Sequence, residues 1–240
     1  MRPGAKGLGV AVAAVGLAHA GPSVTALAMV RRLIPHLAGR GRADHVALTF
    51  DDGPDAASTP YFLDLLDELG VRATFFVLGQ QVAAHPRLAR RLVADGHEVA
   101  LHGWHHRNSL FVTPRALRDS LVRGMAEVAT ATGVRPVRYR PPYGIATTAT
   151  FWAAKDLGLT PVLWDAWGRD WTVEATADSV LHTVRRNVRG GSTVLLHDSD
   201  CTCAPRSWHA TLGALRPLVE GLHADGLTVG PLREHDVPKS

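Results

Sequence analysis

Asp51 and Asp52 stand side by side, directly after the apolar run Val46–Phe50 and before Gly53-Pro54. Adjacent carboxylates repel each other and resist burial, so a cation or separate roles would stabilise them. An Asp-rich turn closed by Gly-Pro is the plainer alternative. Further along, Val99-Ala100-Leu101 runs into His102-Gly103-Trp104-His105-His106. His102 and His106 are four apart, so on a helical turn both imidazoles share a face and can hold zinc or a similar divalent metal. His105 points elsewhere. Two histidines and one carboxylate leave coordination positions open for water and substrate, as a hydrolytic metal requires. The second carboxylate is then placed to act as general base. Arg140, beside Pro141-Pro142, can orient a carboxylate by a bidentate contact, or it is a surface arginine before a proline turn. His197, after Val194-Leu195-Leu196, is positioned to protonate a leaving group, with packing against backbone as the plainer role.

These residues end apolar runs, and the runs define the elements that must place them. Seven strand signals are present: 45–50, 73–78, 98–102, 137–141, 161–164, 193–197 and 227–230. Most are nearly all apolar, as strands covered on both faces are. Six helical patterns alternate with them: 59–69, 80–95, 113–132, 147–157, 174–188 and 207–225. Ser58-Thr59-Pro60 and Thr113-Pro114 read as helix starts, and glycine closes several of the patterns. The alternation predicts an α/β fold with a parallel sheet or barrel inside a helical jacket, with function at the C-terminal strand ends.

A chain of 240 residues, 46% hydrophobic and 20% charged, suits one globular domain with a tail. That composition excludes a disordered or collagen-like chain. Two cysteines exclude a disulfide framework and a four-cysteine zinc cluster. The net charge of +4 is unevenly spread. Residues 1–43 hold Arg2, Lys6, Arg31, Arg32, Arg40 and Arg42 and no acid, so the remainder has 20 bases against 22 acids. A body at −2 disfavours nucleic acid as a partner. In the tail, Gly7–Ala18 is apolar and Ala18-His19-Ala20 has the form of a signal-peptidase site. A cleaved signal, an uncleaved anchor touching the membrane and a packed Ala-rich helix are the three readings. Export, with a tail over 1–43 and a catalytic domain over 44–240, is the expectation. Cys201 and Cys203 read as loop thiols, since a bridge between i and i+2 is strained. Trp104 and Trp208 are either sugar-stacking faces or loop packing.

Thr49-Phe50-Asp51-Asp52-Gly53-Pro54, His102-x-x-x-His106, Arg140-Pro141-Pro142-Tyr143, Asp170-Trp171 and Leu195-Leu196-His197-Asp198 occur in that order. Over about residues 44–232 the chain resembles the polysaccharide deacetylases with a NodB-type homology domain, carbohydrate esterase family 4. The resemblance implies a distorted, seven-stranded (β/α) TIM-like barrel in a single domain. It implies a metal-dependent hydrolase that removes N-acetyl groups from an acetylated glycan, peptidoglycan or chitin-like. O-Acetyl esterase action on xylan and a catalytically weakened glycan-binding member are the alternatives. Carried over by position, Asp52, His102 and His106 are metal ligands, with zinc expected and cobalt or manganese as alternatives. Asp51 is the general base toward the nucleophilic water, Arg140 orients it, and His197 is the general acid. The Tyr143 amide stabilises the oxyanion, and Trp171 and Leu195 wall the acetyl pocket. Two positions depart from the pattern. Gly103 stands where the family has a Ser or Thr that ties the histidine loop. Trp167 stands where it has the Asp that tunes the acid histidine, leaving Asp165 or Asp170 to supply that carboxylate.

Overall fold

The structure, a computed structural model, describes Gly16 and residues 19–237. The apolar Gly7–Ala18 segment lies, apart from Gly16, outside the described residues. A parallel sheet runs in the order β5-β4-β3-β2-β1-β7-β6, and β8 pairs with β1 off that path. The strands are β1 His45–Asp51, β2 Thr74–Val77, β3 Glu98–Leu101, β4 Arg138–Tyr139, β5 Thr160–Pro161, β6 Ala166–Trp167, β7 Thr193–His197 and β8 Thr228–Gly230. The sheet curls into a half-barrel with helices outside it, the α/β fold expected.

The period-two alternation of a strand sorts the side chains into two cores. From β1, Val46, Leu48 and Phe50 join Phe75, Val77, Val99, Leu101, Val194 and Leu196 in the large outer core beneath the helices. Phe50 there touches the Phe62 and Phe75 rings, at centroid distances of 5.3 and 5.1 Å. The other parity faces the barrel interior, where Ala47, Phe76, Ala100, Val162 and Leu232 form a small core. Asp51, His102, Arg140 and His197 share that inner parity at the C-terminal ends of β1, β3, β4 and β7. Register does the rest: Asp51 lies directly opposite His197 across β1 and β7.

Three elements depart from the sequence reading. The single helix expected over 80–95 is two, Gly79–Ala84 and Pro86–Ala94, because Pro86 expels His85 from helical conformation (φ −129°, ψ 56°). The run 161–164 does not form one strand. The chain leaves the sheet after Pro161 and re-enters at Ala166, leaving an unpaired seam between β5 and β6. Leu37 fills that seam, packing with Leu163, Trp164 and Leu195 while its carbonyl accepts from the Leu163 N–H. Ser58 does not cap its helix; its hydroxyl donates to the Asp198 carbonyl instead, at 2.5 Å. Thr113 does cap, accepting from the Ala116 N–H, and that helix ends on Gly133 in the left-handed region (φ 75°).

Candidate active site

β1 ends on Asp51, and the next residue, Asp52, adopts a left-handed conformation (φ 79°). That bend matters, because consecutive strand residues point to opposite faces. With it, both carboxylates line one cleft of about 240 Å³. Asp51 is held from behind. The buried Arg140 guanidinium donates to Asp51 Oδ1 at 2.6 Å, to Thr49 Oγ1, and to the carbonyls of Val162 and Leu163. It lies over the Phe76 ring at 3.9 Å. Four hydrogen bonds and a ring leave that guanidinium one orientation.

His102 and His106 do come together, with ring centroids 5.2 Å apart, but no helical turn carries them. They sit in a loop bent at Gly103 (φ 102°), where a Cβ would lie 3.3 Å from the His105 carbonyl. A Ser or Thr could not take that conformation without strain. The tie comes from elsewhere: Ser120, on the helix Pro114–Thr132, accepts the Trp104 N–H at 3.0 Å. Gly79 and Gln80 N–H groups bond the Gly103 and Trp104 carbonyls. His105 turns away to Gln80.

His102 Nδ1 donates to the Arg140 carbonyl at 2.7 Å, which turns Nε2 toward the carboxylates. That Nε2 lies 3.4 Å from Asp52 Oδ1 and 3.7 Å from Asp51 Oδ2; His106 Nε2 is 3.7 Å from Asp52 Oδ1. Asp52 is fully buried, yet its Oδ1 has no hydrogen-bond partner among the described residues, and neither has His106 Nδ1. Burial opposes Asp52 ionisation, but the His102, His197 and His106 imidazoles and the Thr202 hydroxyl outweigh it and hold its carboxyl low. Burial, then the neighbouring His102, pushes the His106 imidazole down to about 4, so it offers a neutral lone pair. One atom each from Asp52, His102 and His106 falls within 4.8 Å of the others. An orphaned carboxylate oxygen facing two imidazole nitrogens fits a divalent cation.

The open choice of carboxylate for His197 resolves to Asp170. Its Oδ1 lies 3.0 Å from His197 Nδ1, and its Oδ2 accepts from the His197 N–H and the Thr211 hydroxyl. Burial alone would lower His197, but Asp170, with Asp52 and Asp51, raises it to about 9. Asp165 is engaged elsewhere, by Arg40, Ser192 and the Thr193 N–H. Trp167 lines the cleft between Trp164 and Trp171, at centroid distances of 6.2 and 5.1 Å. Tyr143, itself left-handed (φ 61°), lies edge-on to the His106 ring at 4.4 Å. Trp171 and Leu195 also line the cleft.

Sequence reading missed Thr202, and it placed Cys203 only as a loop thiol, not beside Asp52. The Thr202 hydroxyl donates to Asp52 Oδ2, and Cys203 Sγ lies 4.0 Å from the same oxygen. No local pattern announces a contact spanning 150 residues. Both cysteines are free thiols. Trp104 is no sugar platform: it is buried, with Arg123 stacked on it at 3.5 Å. Trp208 stacks on Tyr61 and His209, outside the cleft.

Residues 38–162 match the polysaccharide deacetylase family model. A chitooligosaccharide deacetylase of Bradyrhizobium sp. is 37% identical over 195 residues, 78% of this chain and 88% of that protein. A peptidoglycan-N-acetylglucosamine deacetylase of Listeria monocytogenes is 33% identical over 77% of this chain and 40% of its own length. The solved family 4 acetyl xylan esterase of Clostridium thermocellum, in complex with a cobalt ion, aligns with a TM-score of 0.70. It is 33% identical, over 79% of this chain and 88% of that one.

Proposed function

The chain belongs to the polysaccharide deacetylases, hydrolases of the acetyl groups of glycans, and from that premise we propose that it is a metal-dependent N-deacetylase of an amino-sugar polymer. The observation that carries this reading is the buried, unpartnered Asp52 Oδ1 facing two imidazole nitrogens, beside a second carboxylate clamped by Arg140. Asp52, His102 and His106 hold the divalent cation. Zinc suits a mixed carboxylate–imidazole set, with cobalt and manganese as the alternatives to compare. A cation bound there supplies Lewis acidity, acidifying water and polarising the acetyl carbonyl.

The chain's own residues do the rest. Asp51 takes the proton from the attacking water, and the Arg140 contact keeps its carboxylate aimed. The Tyr143 backbone N–H donates to the developing oxyanion. His197 passes a proton to the departing amine, and its bond to Asp170 favours the protonated ring that this step needs. Trp171 and Leu195 enclose the acetyl methyl. Asp170 on His197 speaks against a weakened, binding-only member, since the carboxylate that Trp167 displaces is supplied from three residues away.

The substrate is peptidoglycan or a chitin-like glycan, met outside the cytoplasm, with residues 1–43 serving as an export signal or as a membrane anchor. The test is acetate release from N-acetylated chito-oligosaccharide, peptidoglycan fragments and acetylated xylan, with zinc, cobalt and manganese compared. Release from the amino-sugar substrates supports N-deacetylation. Release from xylan alone would make the chain an O-acetyl esterase. N-terminal sequencing of exported protein separates a cleaved signal from an anchor.

A further inference from the structure

On the far side of Trp164 and Trp167 from the catalytic cleft lies a second cleft of about 160 Å³. Four arginines line it: Arg31 and Arg32 from the segment before β1, and Arg186 and Arg189 at the end of the helix Ala177–Asn187. None of the four forms an ion pair with a described residue, whereas their neighbours Arg40 and Arg185 pair with Asp165 and Asp225. Asp165 is the one carboxylate in the lining, and its oxygens already accept from Arg40, Ser192 and the Thr193 N–H.

Basic side chains at a helix C-terminus are ordinary, so Arg186 and Arg189 alone carry no argument. Arg31 is different. It is 4% exposed, and its Nε and Nη1 have no hydrogen-bond partner among the described residues. Its guanidinium lies over the Trp164 ring at 4.6 Å, which satisfies the flat face and none of the N–H groups. Burial, then the nearby Arg140, lowers its pKa to about 10, so it remains charged at neutral pH. A buried cation with unmet donors, joined by three more cations around a space that fits a tetrahedral anion, is incomplete without a counter-charge.

We propose that this cleft binds a phosphoryl group. Guanidinium forks match phosphate oxygens bidentately, and several forks converging from two chain segments suit a multivalent oxyanion better than a single carboxylate. A soluble phosphate ester and the headgroup of an anionic phospholipid offer the same chemistry. Leu27, Met29 and Leu33, exposed on the segment that carries Arg31 and Arg32, give the lipid source apolar side chains to meet.

The experiment is calorimetric titration of the metal-loaded protein with inorganic phosphate at constant ionic strength, and sedimentation with phosphatidylglycerol and phosphatidylcholine vesicles. Wild type is compared with Arg31→Met and with the exposed double variant Arg186→Gln/Arg189→Gln, which keeps the test valid if burial makes Arg31→Met unstable. Phosphate binding weakened tenfold or more in the double variant is the expected result, with its acetate release from a neutral chito-oligosaccharide unchanged. Co-sedimentation with phosphatidylglycerol alone, reduced in the same variant, assigns the lipid source. Phosphate binding without co-sedimentation assigns a soluble one. Wild type that binds neither, or a double variant that retains binding in full, overturns the site whatever the outcome of the deacetylase assay.

Discussion

At its N-terminal end β1 begins with His45, whose Nδ1 meets His235 Nδ1 at 2.7 Å; at its C-terminal end it finishes on Asp51, 3.7 Å from His102 Nε2. Both ends bury histidines. At the N-terminal end most polar groups pair with one another, although His45 Nε2 and His97 Nε2 have no hydrogen-bond partner among the described residues. The His235 Nε2–H reaches the Gly191 carbonyl, which leaves its Nδ1 to accept from His45. Glu98 accepts from Arg138, the Thr74 hydroxyl and the Arg233 N–H. Leu232 plugs the barrel there, bonded through its N–H to Thr74. At the C-terminal end the second nitrogen of each ring is turned toward a carboxylate or a cleft. Among the described residues, both clusters with the donors for a metal contain Asp52. Both ends leave ring nitrogens without a partner, and what separates them is that at the C-terminal, open end His102 Nε2 and His106 Nε2 face the Asp52 carboxylate across a cleft.

The comparison breaks first if the open end is not catalytic. Asp51→Asn should lower kcat for acetate release by about 10²- to 10⁴-fold while bound metal, measured by elemental analysis, stays at the wild-type level. Next in size, Arg140→Met strands the Asp51 carboxylate and removes donors from the Val162 and Leu163 carbonyls. A loss of about 3–5 kcal/mol in urea unfolding is expected, together with activity.

The closed end should declare itself through acid stability. Burial, then His45, lowers His235 to about 4; burial, then Arg72, lowers His97 to about 4. Above the ordinary histidine value of 6.5 both are neutral in either state and contribute nothing. Between 6.5 and about 4 only the unfolded chain takes the proton, so stability falls as pH falls through that window, by a few kcal/mol for the two. The urea midpoint followed from pH 7.5 to 4.5 measures it. His97→Asn, which keeps an acceptor for the Ala73 N–H, should reduce the fall. The smallest effect is expected from Asp170→Asn, which leaves the metal site whole and weakens only the proton donor. A fall of roughly 10- to 100-fold in kcat with KM little changed would place Asp170 as the positioning residue of His197. An unchanged kcat would remove it from the account.

Much of the open end was legible because the chemistry-bearing residues end apolar runs; the shared strand parity that gathers them came from the fold. Asp51, His102, Arg140 and His197 could be named before any coordinates for that reason. The His102–His106 pair was legible for the wrong reason, since a glycine-bent loop brings together what helical spacing was expected to align. The break at His85-Pro86 was available in the sequence, because a residue before proline avoids the helical region. Other features had no local signal. Ser120 holding Trp104, Thr202 on Asp52, Leu37 in the β5–β6 seam and Leu232 in the barrel floor are contacts between distant segments, fixed by packing. Asp170 stood between these cases: two carboxylates were candidates, and only the fold separated the one facing His197 from the one facing Arg40.

Acetate release from N-acetylated chito-oligosaccharide, followed as metal-stripped protein is titrated with zinc, bears most directly on the open end of the barrel. Activity should be absent without metal and rise to a plateau at one equivalent per chain, and Asp52→Ala should give none at that equivalence. Full activity in the stripped protein, or an Asp52→Ala variant that responds like wild type, would contradict the assignment of Asp52, His102 and His106.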